Sequence, residues 1–200
     1  GQAETKLPKL TVCCTFGDPL SPKTWSGTPA KICTIFQNRG VLDDTINSGA
    51  FANRISAKLL STLSRLYYQG SDEHYHGKII TTAKSRYVDR KLSANQSDIL
   101  HFGIDHLPLT KCGRDRRHYL YLDATWKSIR DNLPRGADGE KLNNDIESST
   151  KAVLAQMTHI FPIGEYLREH LIEQYGVDPA KVTAVGTGRG SLQPYYGEID

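Results

Sequence analysis

Apolar residues fall along the chain in two alternating patterns: short continuous runs closed by a glycine or a turn, and longer stretches with apolar positions three and four apart. Leu10 to Phe16 is a run of the first kind, ending at Gly17, and reads as a short buried strand. A Pro/Ser/Gly loop follows to Pro29, where a helix is expected to begin and to reach about Asn38 before the Arg39-Gly40 stop signal. Phe51 to Tyr68 carries Ile55, Leu59, Leu63 and Leu66 on one helical stripe, which predicts an amphipathic helix ended by Gly70. A more basic helix is expected over Ile80 to Ala94, then a strand over Asp98 to Phe102 closed by Gly103. His118 to Leu122 reads as another buried strand, ending at Asp123. The next helix is expected to start at Asp138 or Gly139, with Leu142, Ile146, Val153 and Met157 on its apolar side. Thr158 to Phe161 is a short strand candidate, Glu165 to Tyr175 a helix with Gly176 as its left-handed stop, and Lys181 to Val185 a last strand after the Asp178-Pro179 turn.

Strands alternating with helices imply a mostly parallel α/β sheet of Rossmann-like type, with helices on both faces. In such sheets ligands bind beyond the carboxyl ends of the strands. The loops after Phe16, Phe102, Leu122 and Val185 are therefore where chemistry is expected. Residues 1–8 read as a polar leader and 9–190 as one domain.

Composition narrows the partners. A hydrophobic fraction of 38% with 24% charged residues suits a soluble domain, and a formal charge of +3 over 200 residues is too small to imply a nucleic-acid surface. The longest apolar runs are about six residues, against roughly twenty for a membrane-spanning helix. A cytoplasmic protein is expected, with a peripheral visit to the inner face of a membrane left open. Cys13, Cys14, Cys33 and Cys112 contain no C-x-x-C pair. Cys13 and Cys14, adjacent on a strand, point to opposite faces, so buried reduced thiols are expected and no metal site.

The stretch GDPLSPKT, Gly17 to Thr24, follows the phosphate-binding pattern G-x-x-x-x-G-K-[ST] except at Pro22. Proline removes one N–H donor and disfavours helical geometry at Ser21, where such a loop curls into its helix. A nucleotide-dependent enzyme using Lys23 is thus a weak alternative. The dinucleotide fingerprint occurs only as Gly186-Thr187-Gly188-Arg189-Gly190, with no helix after it. Trp25-Ser26-Gly27-Thr28-Pro29 is more informative: it is either a simple turn and N-cap or a set of backbone donors at a helix start facing an anion or sugar oxygen. His74-Tyr75-His76 reads as a flexible polar loop rather than a metal site, and Lys84, Arg86, Arg90 and Lys91 either face solvent or steer an anionic acceptor.

Over Phe161 to Gly188 the sequence FPIGEYLREHLIEQYGVDPAKVTAVGTG resembles the last strand-helix-strand of the N-terminal domain in GT-B glycosyltransferases of the family 4 type. Those proteins carry a helix of the form S-E-x-L-R-x-x-L-I-x-x-Y-G-V, then P-x-K-V and a strand ending in an N-G hinge. The opening strand with its Ser-Gly-Thr-Pro loop and the stretch YLDATW fit as well. Here Gly164 stands for the usual Ser cap, Thr187 for the hinge Asn, and Gly103 where many members have a second His after His101.

The resemblance implies the acceptor-binding N-terminal half of a GT-B enzyme. It would move a sugar from a nucleotide-sugar, UDP- or GDP-linked, to a glycan or lipid-linked acceptor with retention, holding no tightly bound cofactor. It implies a second Rossmann-like domain as partner, reached through a linker starting at 191–200, without which the chain would be inactive. Ser26, Gly27 and Thr28 would face the diphosphate and sugar. Asp123, Thr125 and Trp126 would line the acceptor cleft, with His101, Asp105 and His106 as further sugar contacts and Gly186, Thr187 and Gly188 as the interdomain hinge. Asp123 as a turn cap, Trp126 as ordinary packing and His101 as a hydrogen-bonded group inside the sheet remain alternatives, and no catalytic base is assigned. Glu165 and Glu173 have the E-x7-E spacing of the donor domain, but eight helical residues turn the second about 80° from the first, and a solvated face explains them. The competing reading is a Rossmann-like module that binds a glycan or small ligand without turnover.

Overall fold

The buried run Leu10–Cys14 forms β1, and its side chains are covered on both sides, as expected of a strand inside a parallel sheet. The computed structural model describes residues 8–130 and 139–186. After β1 come α1 (Thr28–Asn38), β2 (Leu42–Asn47), α2 (Ile55–Tyr67), α3 (Lys78–Leu92), β3 (Asp98–Phe102), β4 (His118–Leu122), α4 (Trp126–Arg130), α5 (Glu140–Gln156), β5 (His159–Pro162) and α6 (Glu165–Tyr175). Among the described residues the five strands form one sheet in the order β2-β1-β3-β4-β5, with every pair parallel. The fold is α/β and Rossmann-like. Beside β5, Thr183 and Val185 donate backbone hydrogen bonds to the carbonyls of Ile160 and Pro162. The predicted last strand is thus an extended edge segment with a single bridge, at Val182.

Strand parity divides the core. Val12, Cys14, Leu100, Phe102 and Tyr121 face α1 and its Cys33, whereas Cys13, Ile46 and Ile99 face Val88 and Leu92 of α3. Leu120, Leu122 and Ile160 pack with Val153 and Leu154 of α5 and Leu167 and Leu171 of α6. Burial pushes the Cys14 and Cys33 thiols up to about 11, so both stay protonated. The Gly176 stop adopts φ +66°, with Gly176 N–H on the Ile172 carbonyl and Val177 N–H on that of Leu171.

Two expectations change, and β2 is a strand that the sequence pattern did not predict. The strand β2 carries no apolar run because it is an edge strand whose Asp43 and Asp44 face solvent, and charge on an edge blocks further pairing. The stripe on α2 faces outward: Ile55 is 89% and Leu66 72% exposed, while the buried side is made of Ala57 and Ser64. Small residues let α2 lie close to its neighbours, and the Ser64 hydroxyl donates to the His74 carbonyl. His74–His76 is a short 3-10 helix rather than a loose loop, with His74 bonded to the Ser61 hydroxyl and the Ser71 carbonyl. Among the described residues no helix is long and apolar enough to cross a membrane.

Candidate functional site at the carboxyl edge of the sheet

The strand order reverses between β1 and β3, so the loops that follow them leave in opposite directions and open a crevice at the carboxyl edge. A cleft of about 480 Å³ lies at this edge, lined by Phe16, Trp25, Ser26, Thr28, Tyr121, Asp123 and Ile163. Its walls come from the ends of β1, β4 and β5 and from the start of α1. Two parts of the sequence reading meet here, the Ser26 to Thr28 loop and Asp123.

The stretch GDPLSPKT does not cradle phosphate. Asp18 accepts from Leu20 N–H through its carboxylate and from Ser21 N–H through its carbonyl, Ser21 Oγ accepts from Lys23 N–H, and the Ser21 carbonyl accepts from Thr24 N–H. The donors a phosphate would need are engaged inside the loop, and Pro22 has none. What the turn does is deliver the chain into Trp25, Ser26 and Gly27, all three left-handed, at φ 47°, 53° and 82°. For Trp and Ser this conformation costs about 1–2 kcal/mol each.

Aromatic packing holds the strained turn. The Trp25 ring sits 5.7 Å from Phe16, 6.1 Å from Phe102 and 6.3 Å from Tyr121, edge-on to the last two. It also covers Gly103, where a Cβ would lie 2.7 Å from Thr15 Oγ1 and 3.1 Å from the indole. With φ +79° as well, position 103 admits only glycine while Trp25 occupies this place. Thr15 Oγ1 and Trp25 Nε1 are each buried with no hydrogen-bond partner among the described residues.

Asp123 supplies the charge at the mouth. Partial burial against the apolar walls raises its carboxyl above the usual range, and the backbone N–H groups of Asp123 and Ala124 oppose that rise. Tyr121 donates to the Gly186 carbonyl at 3.3 Å, tying the cleft to the first residue of the predicted hinge, and Gly186 is left-handed at φ +76°. Thr187 and Gly188 lie outside the described residues, as does Asp138.

The other candidates sit elsewhere. Thr125 is the N-cap of α4: its hydroxyl accepts from Ser128 N–H, the Ser128 hydroxyl accepts from Thr125 N–H, and Thr125 Oγ1 also contacts His170 Nε2 at 2.9 Å. Trp126 packs with Tyr68, Leu142 and Ile146, lies 5.3 Å from the His76 ring and donates to Asn143 Oδ1, so it forms no part of the cleft wall. His101, Asp105 and His106 are buried on the side of the sheet covered by α3. Asp105 accepts from Lys84 Nζ and from the Ser48 hydroxyl, both at 3.0 Å. Lys84 is thereby turned inward and leaves the basic face that the sequence assigned to α3.

The three histidines form a neutral cluster. Because His118 Nε2 lies 2.6 Å from the Gly113 carbonyl it must be the protonated nitrogen, which leaves Nδ1 to accept from His101 Nε2–H at 3.0 Å. Burial lowers all three pKa values, helped at His101 by His106 and His118. His106 Nδ1 has no partner among the described residues. Nor are three His, Cys, Asp or Glu side chains grouped to hold a metal ion among those residues.

Phe16, Trp25, Tyr121 and Ile163 escaped the sequence reading as cleft walls. The signal for Trp25 was its place beside Ser26, but only the fold sets its ring against β3 and β4. A scan against protein-family models finds no match, and a search of curated proteins finds none either.

Proposed function

We propose that this chain is the acceptor-side domain of a glycosyltransferase of the GT-B kind, and that the cleft between the Trp25 turn and Asp123 receives a sugar. The observation that carries this reading is the lining itself. Three aromatic side chains and one carboxylate share one open cleft at the switch point of the sheet. Aromatic faces take up the C–H face of a sugar ring, and a carboxylate accepts from its hydroxyls. The Ser26-Gly27-Thr28 turn at the start of α1 is the part that would face the diphosphate of a UDP- or GDP-sugar, with the hinge beginning at Gly186 leading to a second Rossmann-like domain.

In the proposed reaction the acceptor oxygen bonds to the anomeric carbon as the bond from that carbon to the diphosphate breaks. The diphosphate leaves with the electron pair, and the acceptor proton passes to it. This domain contributes placement of the acceptor, which converts a bimolecular encounter into an oriented one. Retention, a glycan or lipid-linked acceptor and dependence on the second domain follow from the resemblance alone. The binding-module reading draws on a different observation: the lining is mostly aromatic and apolar, with Asp123 its one carboxylate, which is enough to hold a sugar without reacting with it.

Ligand-observed NMR tests the proposal with simple glycosides, nucleotide-sugars, ATP and NAD. Glycoside signals are expected, weakened roughly tenfold in Asp123→Asn, the loss of one charged hydrogen bond. Binding should fall on acidification at a pH above the ordinary carboxylate value of about 4, because the Asp123 carboxyl is raised. Tight binding of ATP or NAD, or glycoside signals unchanged in Asp123→Asn, would overturn the assignment.

A further inference from the structure

The helix α2 turns its apolar side to solvent, with Ile55 89%, Leu59 70%, Leu63 52% and Leu66 72% exposed. These positions share one arc of the helix and extend over about 16 Å of its length. Contiguous exposed apolar residues of this size mark an interaction surface. The orientation is locked from within: Tyr68, directly after α2, donates to Asp145 Oδ2 of α5 at 2.7 Å and accepts from Lys78 N–H of α3 at 2.9 Å. A Cβ on Gly77 would lie 2.0 Å from the Tyr68 ring. With Ser64 bonded to the His74 carbonyl as well, α2 cannot roll to bury its leucines.

Charge selects the occupant. The sequence of α2, ISAKLLSTLSRLY, contains Lys58 and Arg65 and no acidic residue. On the helical wheel these two cations form one margin of the apolar arc. At the other margin Lys141 Nζ stands 3.3 Å over the Tyr67 ring. The neighbouring acids are Asp72, which lies 3.5 Å from Arg65, Glu140 beside Lys141, and Asp145, which accepts from the Tyr68 hydroxyl. An apolar ridge between cationic margins has the chemistry of a helix lying in the headgroup plane of an anionic bilayer. A second copy of this chain would set like margins against each other.

We infer that the exposed face of α2 docks the protein onto an anionic lipid surface, with Ile55, Leu59, Leu63 and Leu66 entering the interface and Lys58, Arg65 and Lys141 meeting headgroups. The inference goes beyond the transferase reading and uses none of the cleft residues. The contact belongs to α2 rather than to α3, whose Lys84 is turned in to Asp105.

Vesicle co-flotation of the whole 200-residue chain tests it. The chain is expected to float with vesicles of equal parts phosphatidylcholine and phosphatidylglycerol, not with phosphatidylcholine alone, and less at high salt. Lys58→Ala with Arg65→Ala should weaken partitioning roughly 30-fold. Leu59→Glu with Leu66→Glu should abolish it with the circular dichroism unchanged, and Leu59→Ser with Leu66→Ser serves if the charged pair disturbs folding. Absence of flotation with anionic vesicles, or flotation of the leucine variants equal to the parent's, overturns the inference. So does a dimer seen by sedimentation that those variants dissociate in a chain that does not float. Because flotation and glycoside binding use different residues, each can fail without the other.

Discussion

Gly103 and Trp25 are coupled. The glycine is required by a positive φ and by the indole that lies over it, and the indole is held by aromatic neighbours from β3 and β4. Gly103→Ala is expected to cost about 2–4 kcal/mol, from the left-handed backbone and from overpacking against Thr15. Because Thr15 supplies two of the three nearest atoms, Oγ1 at 2.7 Å and Cγ2 at 3.3 Å with the indole between them at 3.1 Å, Thr15→Ala should recover part of the loss. A double-mutant cycle in urea measures this, and purely additive losses would show that the two positions do not share the space. From sequence, Gly103 was legible only as a strand stop. Its second constraint comes from a residue 78 positions earlier in the chain.

At the scale of elements, the connection from β3 to β4 has no helix among the elements observed, so its order comes from side chains. Buried Asp89 on α3 accepts from the N–H groups of Thr110, Lys111 and Gly113. Arg116 donates to the carbonyls of Leu92, Asn95, Ser97 and Cys112 and to Asn95 Oδ1, closing the end of α3. Carbonyls at a helix end that lose such a partner must find another. Arg116→Lys keeps the charge but not the planar fork, and is expected to cost about 2–3 kcal/mol in chemical denaturation. A change below about 0.5 kcal/mol would mean that water replaces the guanidinium. Periodicity located α3, α5 and α6 because their apolar positions face the core. The same rule located α2 but not its packing face, since a strong stripe faces outward and two small residues do the packing. It could not register β2 either, whose burial is limited to part of one side.

For the whole molecule the buried histidines set the response to acid. His101, His106 and His118 are held neutral by burial, so their folded pKa values lie below the unfolded value of about 6.5. Below that value the unfolded chain binds protons that the folded one does not, and stability falls as pH falls, by up to about 1.4 kcal/mol per pH unit for each histidine that stays neutral. Urea midpoints measured at about pH 7.5 and 5.5 should show the loss, and His106→Phe should make it smaller. Equal midpoints at the two pH values would mean that the cluster protonates without penalty.

The sequence by itself determined most of the strands and helices, though not β2 or α4, together with the parallel α/β class, the opposite faces of Cys13 and Cys14 and the left-handed stop at Gly176, because each depends on residues within a turn or two of one another. It also brought Ser26, Thr28 and Asp123 forward as candidates. Only the tertiary structure decided that these three share a cleft, that Thr125 caps a helix, that Trp126 packs away from the cleft and that His101, Asp105 and His106 lie on the α3 side of the sheet. Which face of a helix meets which strand, and whether a loop closes over its neighbour, is set by packing between elements far apart in the chain. Local periodicity carries no record of that partner.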